Sequence, residues 1–89
     1  MIDEKIVIKQ AQDGNINAFK EIVEGYKQMV YYLSYDLTGN QEDAKDLSQE
    51  VFIKIFQSIH TFRGTAKFSS WIYRITINTF ISLQRKRNY

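Results

Sequence analysis

Asp43–Asn78 reads DAKDLSQEVFIKIFQSIHTFRGTAKFSSWIYRITIN, two helical patterns separated by a short loop. Ala44, Leu47, Val51, Ile55 and Ile59 recur in steps of three and four, and Phe52 and Phe56 widen the stripe. That is the period of a helix with one face in a core. Asn40 is a good N-cap for it, and Glu42, Asp43 and Asp46 place negative charge near the positive end of its dipole. The pattern predicts a helix that ends near His60. The loop Phe62-Arg63-Gly64-Thr65-Ala66-Lys67 follows. Beyond it a second helix is expected to run to about Arg87, with Ser69 or Ser70 near its start. Phe68, Ile72, Ile75 and Thr79 share one face of this helix; Trp71, Arg74, Asn78 and Ser82 fall near another.

Upstream, Phe19, Ile22, Val23, Tyr26, Val30, Leu33 and Leu37 predict a helix over about residues 17–37, capped by Asn15 or Asn17. A shorter helix over about 3–12 should turn Ile6, Val7 and Ala11 inward. Proline is absent, and Gly14, Gly39 and Gly64 mark the expected breaks. Gly25 falls inside the long helical pattern, where it costs about 1 kcal/mol relative to alanine; a close helix crossing is one reason for a glycine there. Tyr31, Tyr32 and Tyr35 read as core and rim packing. The expected fold is all-α, a compact bundle of about four helices forming one domain over residues 1–89.

A chain of 89 residues supports one small core and not two. With no cysteine and only His60 as histidine, neither a disulfide framework nor a Cys/His metal cluster is available, and no cofactor is expected. His60 itself reads as a residue at a helix end. No apolar run reaches the length of a membrane span and the N-terminus lacks a signal-peptide layout, so a cytoplasmic protein is expected. The net charge of +2 conceals a division. Residues 1–50 hold all ten acids against five lysines, a sum of −5, whereas residues 51–89 hold seven cations and no acid, +7. Such asymmetry points to a polyanion contacted by one end of the molecule. A basic surface without a partner, or attraction between the halves, is the alternative.

Two surfaces carry candidate residues. On the first helix of the quoted stretch, Asp43, Asp46, Gln49, Glu50, Ile53 and Gln57 stay outside when the apolar stripe is buried. A solvated face would look much the same, but Ile53 among carboxylates suits a protein interface with a small hydrophobic centre. The second surface is the loop and last helix. Arg63, Gly64, Thr65 and Lys67 offer cations, backbone N–H groups and a hydroxyl to phosphate or an unpaired base. Their spacing is not that of a phosphate-binding P-loop. Trp71 can stack a base or pack in the core, Arg74 can bridge to phosphate or base edges, and Asn78 can read a base edge. Ser82 continues that face, and Arg85, Lys86 and Arg87 suit backbone phosphates or simply a helix C-terminus.

Asp46-Leu47-Ser48-Gln49-Glu50-Val51-Phe52, then Phe62-Arg63-Gly64, then Phe68-Ser69-Ser70-Trp71-Ile72-Tyr73-Arg74-Ile75 and Asn78, resemble region 2 of bacterial sigma factors. The extracytoplasmic-function (ECF) group is the nearest, and Ile72 stands where that pattern usually has leucine. The resemblance covers about residues 15–88. It implies that Asp46, Gln49 and Glu50, with Asp43, Ile53 and Gln57 by helical adjacency, bind the clamp coiled coil of the β′ subunit of core RNA polymerase. It further implies that the loop and last helix open the promoter −10 element and hold its non-template single strand. A flipped base would enter a pocket at Arg63–Phe68, with Trp71, Arg74 and Asn78 in melting and recognition. An anti-sigma factor is an implied further partner, and no covalent step is involved. Such sigma factors usually continue into a −35-binding region 4, which nothing after Tyr89 supplies. The chain is therefore expected to be an excised or truncated domain.

Overall fold

The computed structural model describes residues 3–87; the two residues at either end of the expected 1–89 domain lie outside that range. Four helices follow one another: α1 (Glu4–Gln12), α2 (Ile16–Thr38), α3 (Gln41–Ser58) and α4 (Phe68–Arg87). A 3₁₀ turn, Ile59–Thr61, prolongs α3 to the residue before the loop. Among the described residues there is no strand, as expected from the periodicity.

Short polar caps set where each helix begins. The Asp3 carboxylate accepts from the Lys5 N–H, the Asn15 side chain from the Ala18 N–H at 3.1 Å, and the Asn40 side chain from the Asp43 N–H at 2.8 Å. Of the two candidate caps for α2, Asn15 is thus the one used. The Asn40 amide in turn donates to the Asp43 carboxylate at 2.9 Å, closing a reciprocal cap. Helix α2 stops because Gly39 takes a left-handed conformation, φ 81°, and its N–H returns to the Tyr35 carbonyl. Only Gly39 and Asn40 then separate α2 from α3, so the two helices fold back on each other as a hairpin.

Helix α3 lies between α2 and α4, and α1 packs across α2 and the 3₁₀ turn. The core draws on every helix: Val7, Ile8, Ala18, Ile22, Val30, Leu47, Val51, Ile55, Phe68 and Ile72 are all buried. Two expectations fail here. Ile6 is 55% exposed, and Ile8 takes its place. Val7, Ile8 and Ala11 lie on the α1 face that meets α2; position 6 is a further 100° around the helix. Phe56 is 52% exposed instead of widening the buried stripe of α3; its ring meets the edge of Phe19 at a centroid distance of 5.0 Å. Thr76, buried alongside Ile72, was not expected. Its hydroxyl donates back to the Ile72 carbonyl at 2.9 Å, which removes the penalty of burying it.

Tyr26 fastens α1 to α2. Its hydroxyl donates to the Glu4 carboxylate at 2.6 Å, while its ring meets the edge of Phe68 at 5.5 Å. Burial first, then the hydrogen bond to and charge of Glu4, push the phenol above its ordinary pKa of 10.0. A phenol whose folded-state pKa is raised stabilises the fold fully below its unfolded pKa. That contribution is lost as pH rises through the folded value. Tyr26→Phe should therefore lower the urea midpoint at pH 8, yet show a smaller fall in midpoint than wild type between pH 10 and 12. Parallel pH profiles for the two proteins would refute the linkage.

A Cβ added at Gly25 meets no heavy atom within 4 Å, so no helix crosses closely at this position. Its helical backbone carries only the entropic penalty. Gly25→Ala should raise stability by about 1 kcal/mol, read as a higher urea midpoint with unchanged slope; a destabilised variant would show that the glycine answers a steric need.

Candidate functional site

Helix α3 turns two neighbouring surfaces outward. Gln49, Ile53 and Gln57 face α2 and, with Phe19, Val23 and Tyr32, line an open apolar groove of about 1010 Å³. Tyr32 is 64% and Ile53 48% exposed at its rim. Helix α2 therefore supplies half of a surface that the sequence placed on α3 alone. The expected core and rim packing of Tyr31, Tyr32 and Tyr35 holds for Tyr31, which is partly buried and meets Tyr32 edge to face at 6.1 Å, but Tyr32 and Tyr35 are exposed and Tyr31 and Tyr32 line the groove.

Asp43 and Asp46 sit on the other flank, bordering α4 beside Leu47, Leu83 and Arg87. Asp43 is only partly exposed. Its carboxylate takes the Asn40 amide and, at 3.4 Å, the Arg87 guanidinium. The Asn40 hydrogen bond, then Arg87, hold its carboxyl below the usual carboxylate range. The expected six-residue face is thus continuous around α3, with Glu50 exposed between its flanks, but Asp43 is partly committed to capping and to α4.

The loop between α3 and α4 is exposed from Arg63 to Lys67, with Gly64 at φ 77° where a β-carbon would strain the turn. Its two ends are anchored. The Phe62 ring lies 5.1 Å from Phe68 and 5.3 Å from Trp71, and Phe68 and Trp71 stack at 5.5 Å with 23° between their planes. At the other end the Lys67 carbonyl accepts from the Trp71 N–H, the first turn of α4. Trp71 is half-buried in this aromatic cluster, so packing holds the ring while part of it stays accessible. Phe68, named from sequence as a loop contact, is 5% exposed and supports the loop from beneath.

Between the loop and the N-terminal helix is a recess of about 410 Å³, walled by Tyr26, Phe62, Gly64, Lys67 and Phe68 and, from α1, by Glu4 and Ile8. Its volume accommodates a planar heterocycle. Further along α4, Asn78 and Ser82 line a second, smaller recess with Lys54 and Ser58 of α3. Arg74 is exposed on α4, as are Arg85, Lys86 and Arg87 in its last turn. Among the described residues, Arg63, Lys67, Arg74, Arg85 and Lys86 make no ion pair, so their charges are free for a polyanion. No group of three or more potential metal ligands occurs among the described residues, and no described helix is long and apolar enough to cross a membrane.

Several lining residues were not marked as such by the sequence: Lys54 and Ser58 beside Asn78, Glu4, Ile8 and Tyr26 in the recess wall, and Phe19, Val23 and Tyr32 in the groove. Lys54 and Ser58 are four residues apart on α3, a spacing that could have marked them as one patch. Nothing local marks Tyr26, whose hydroxyl bonds Glu4 22 residues away, or Gln12, whose amide reaches the Ile59 and Phe62 carbonyls behind the loop.

Residues 22–89 match the model of the family described as sigma-70 region 2. The chain is 42% identical over 80 residues to the ECF RNA polymerase sigma factor SigW of Bacillus subtilis, covering 90% of this chain and 43% of that one. It is 44% identical over 71 residues to the ECF sigma factor SigE of Mycolicibacterium smegmatis, covering 79% of this chain and 27% of the relative. The chain thus spans less than half the length of these relatives. Among solved structures, an engineered region 2 of sigmaE in complex with GTAAAA superposes with a TM-score of 0.88 at 29% identity, covering 98% of this chain and 90% of that one. CnrH, solved with the cytosolic domain of CnrY, shares the fold at a TM-score of 0.79 and 23% identity, over 89% of this chain and 51% of its own. With the family match over residues 22–89, the identity to ECF sigma factors and the superposition on a sigmaE region 2, the chain belongs to the sigma-70 region 2 family, in its extracytoplasmic-function branch.

Proposed function

We propose that this domain captures the melted non-template strand of a promoter −10 element while the outer surface of α3 holds it on core RNA polymerase. The observation that carries the first part is the exposed loop Arg63–Lys67, anchored at both ends by the Phe62–Phe68–Trp71 cluster and bordered by a recess large enough for a base. The superposed sigmaE region 2 was solved in complex with GTAAAA, which supports nucleic-acid binding by a domain of this fold. Flipping a base costs a few kcal/mol of unstacking. Stacking in the recess and phosphate contacts from Arg63, Lys67, Arg74 and the Arg85–Arg87 run offset it. Asn78, exposed beside Lys54, is placed to read a neighbouring base edge. The action is binding and strand capture, with no bond made or broken.

The second part rests on the α3 surface: a polar flank of Asp46 and Glu50 beside the apolar groove at Ile53. A partner helix pair with basic residues flanking an apolar seam fits this layout, and the clamp coiled coil of the β′ subunit is the partner we assign. The same groove would admit a competing amphipathic segment, so an anti-sigma factor is a further partner that would exclude polymerase. This assigns the action to the cytoplasm.

The double variant Asp46→Ala/Gln49→Ala should bind core polymerase, or an isolated β′ clamp coiled coil, at least about tenfold more weakly with its circular dichroism unchanged. Equal affinity in a binding assay would remove the interface from α3. Asn78→Ala should lose about 1–3 kcal/mol of discrimination among single strands differing at one base. Arg85→Ala should instead weaken all strands alike and reduce the slope of log affinity against log salt by about one. Identical, sequence-blind losses in both would take base reading away from Asn78.

A further inference from the structure

Gln12 is the last residue of α1, and its side chain spans the 3₁₀ turn that leads into the loop. Its amide nitrogen donates to the Ile59 carbonyl at 2.9 Å and to the Phe62 carbonyl at 2.8 Å, so both amide hydrogens are used. These two acceptors bracket the turn. Ile59 closes the hydrogen-bonded end of α3, and its carbonyl also receives the Phe62 N–H at 3.1 Å. Phe62 is the last residue before Arg63 and the exposed segment. A single side chain therefore fixes both where α3 stops and the direction in which the loop departs.

The anchor is itself held. The Gly14 N–H donates to the Ala11 carbonyl at 3.0 Å and the Asn15 N–H to the Gln10 carbonyl at 2.9 Å, so the chain around Gln12 is a closed turn; Asn15 then caps α2. At its other end α1 is tied to α2 by the Glu4–Tyr26 bond, and Tyr26 packs on Phe68, the first residue of α4. Helix α1 thus forms a rigid back wall to the recess that the loop opens onto, fastened on one side at Phe62 and on the other at Phe68. The aromatic contacts of Phe62 fix its ring. The Gln12 bonds fix its carbonyl, and a carbonyl held in place is what orients the next peptide, that of Arg63.

We infer that Gln12 is a positioning residue for strand capture: it pre-orders the loop Arg63–Lys67 against α1, so that the base-sized recess exists before a nucleic acid arrives. This rests on the strand-capture reading above. A loop ordered in advance spares the bound state that entropic loss, and the saving appears as affinity and selectivity for the captured base. It does not act on the α3 groove, whose lining includes no residue of α1, the 3₁₀ turn or the loop. It leaves the phosphate contacts of α4 untouched as well.

The test uses the whole chain and three proteins: wild type, Gln12→Glu and Gln12→Lys. Glutamate keeps the shape of glutamine but, ionised, turns two donors into acceptors facing two carbonyls. Lysine restores donors on a stem long enough to reach both. Single-stranded hexamers from a randomised pool are first selected on wild type, and affinities for the preferred hexamer and its single-base variants are measured by fluorescence anisotropy. Gln12→Glu should lose about 5- to 150-fold of its preference for the best base, the range that two ordinary net hydrogen bonds can supply. Its salt slope and its affinity for a β′ clamp coiled coil should stay as in wild type. Gln12→Lys should regain the preference while binding all strands somewhat more tightly through its added charge. If wild type selects no hexamer, strand capture itself fails and the inference with it. If wild type is selective and Gln12→Glu equally so, only the positioning role is overturned. If Gln12→Glu loses coiled-coil binding and strand binding together with its thermal transition, the bonds serve folding alone and the positioning role is likewise overturned.

Discussion

Ala44, Leu47, Val51 and Ile55 on α3 are at most 1% exposed, and they are covered from two directions, by α2 on one side and α4 on the other. A helix that buries one stripe between two neighbours must present the opposite stripe to solvent. That geometric necessity gives α3 both its buried face and the outward face proposed for docking. The residues that hold the bundle together and the outward residues that we propose meet a partner, Asp46, Glu50, Ile53 and Gln57, are interleaved along the same eighteen-residue helix. Neither set can shift in register without moving the other.

The tight connections enforce this arrangement. A two-residue link, Gly39-Asn40, forces α2 and α3 together, and the shallow α2–α3 groove is the space left between their outer edges. The link from α3 to α4 is longer, and its middle is bare. The fold secures it at the ends only, with Phe62, Phe68 and Trp71 as one aromatic cluster beneath and Gln12 behind. An exposed segment with fixed ends keeps its backbone N–H groups available to a ligand without surrendering position, which is the combination strand capture requires.

Charge follows the same division of labour. The acids fall on α1 and its two caps, on α2 and on α3, and the cations of the second half fall on the loop, on α4 and at Lys54. Where the two sets meet, Asp43 and Arg87 form one exposed contact at 3.4 Å. Exposed pairs of this kind contribute little to stability. The remaining cations thus stay available, and binding of a polyanion should be governed by counterion release and depend steeply on salt.

Much of this was legible in the chain. Helical period, cap residues and glycine breaks are local signals, and they located all four helices to within about two residues because each is satisfied inside its own element. The order of the motifs from Asp46 to Asn78 carried the family, since a motif is sequence by definition. Ile6 and Phe56 show where local signals end. Both lie beside a buried stripe, and which neighbour of a stripe is covered depends on the angle at which another helix crosses it. The sequence placed the functional residues on their helices but not their partners. That α2 and α3 together line the apolar groove, that Lys54 and Ser58 sit beside Asn78, and that Gln12 reaches the carbonyls of Ile59 and Phe62 all depend on contacts between distant parts of the chain. Such contacts are chosen by packing the whole bundle at once, and no window of residues contains them.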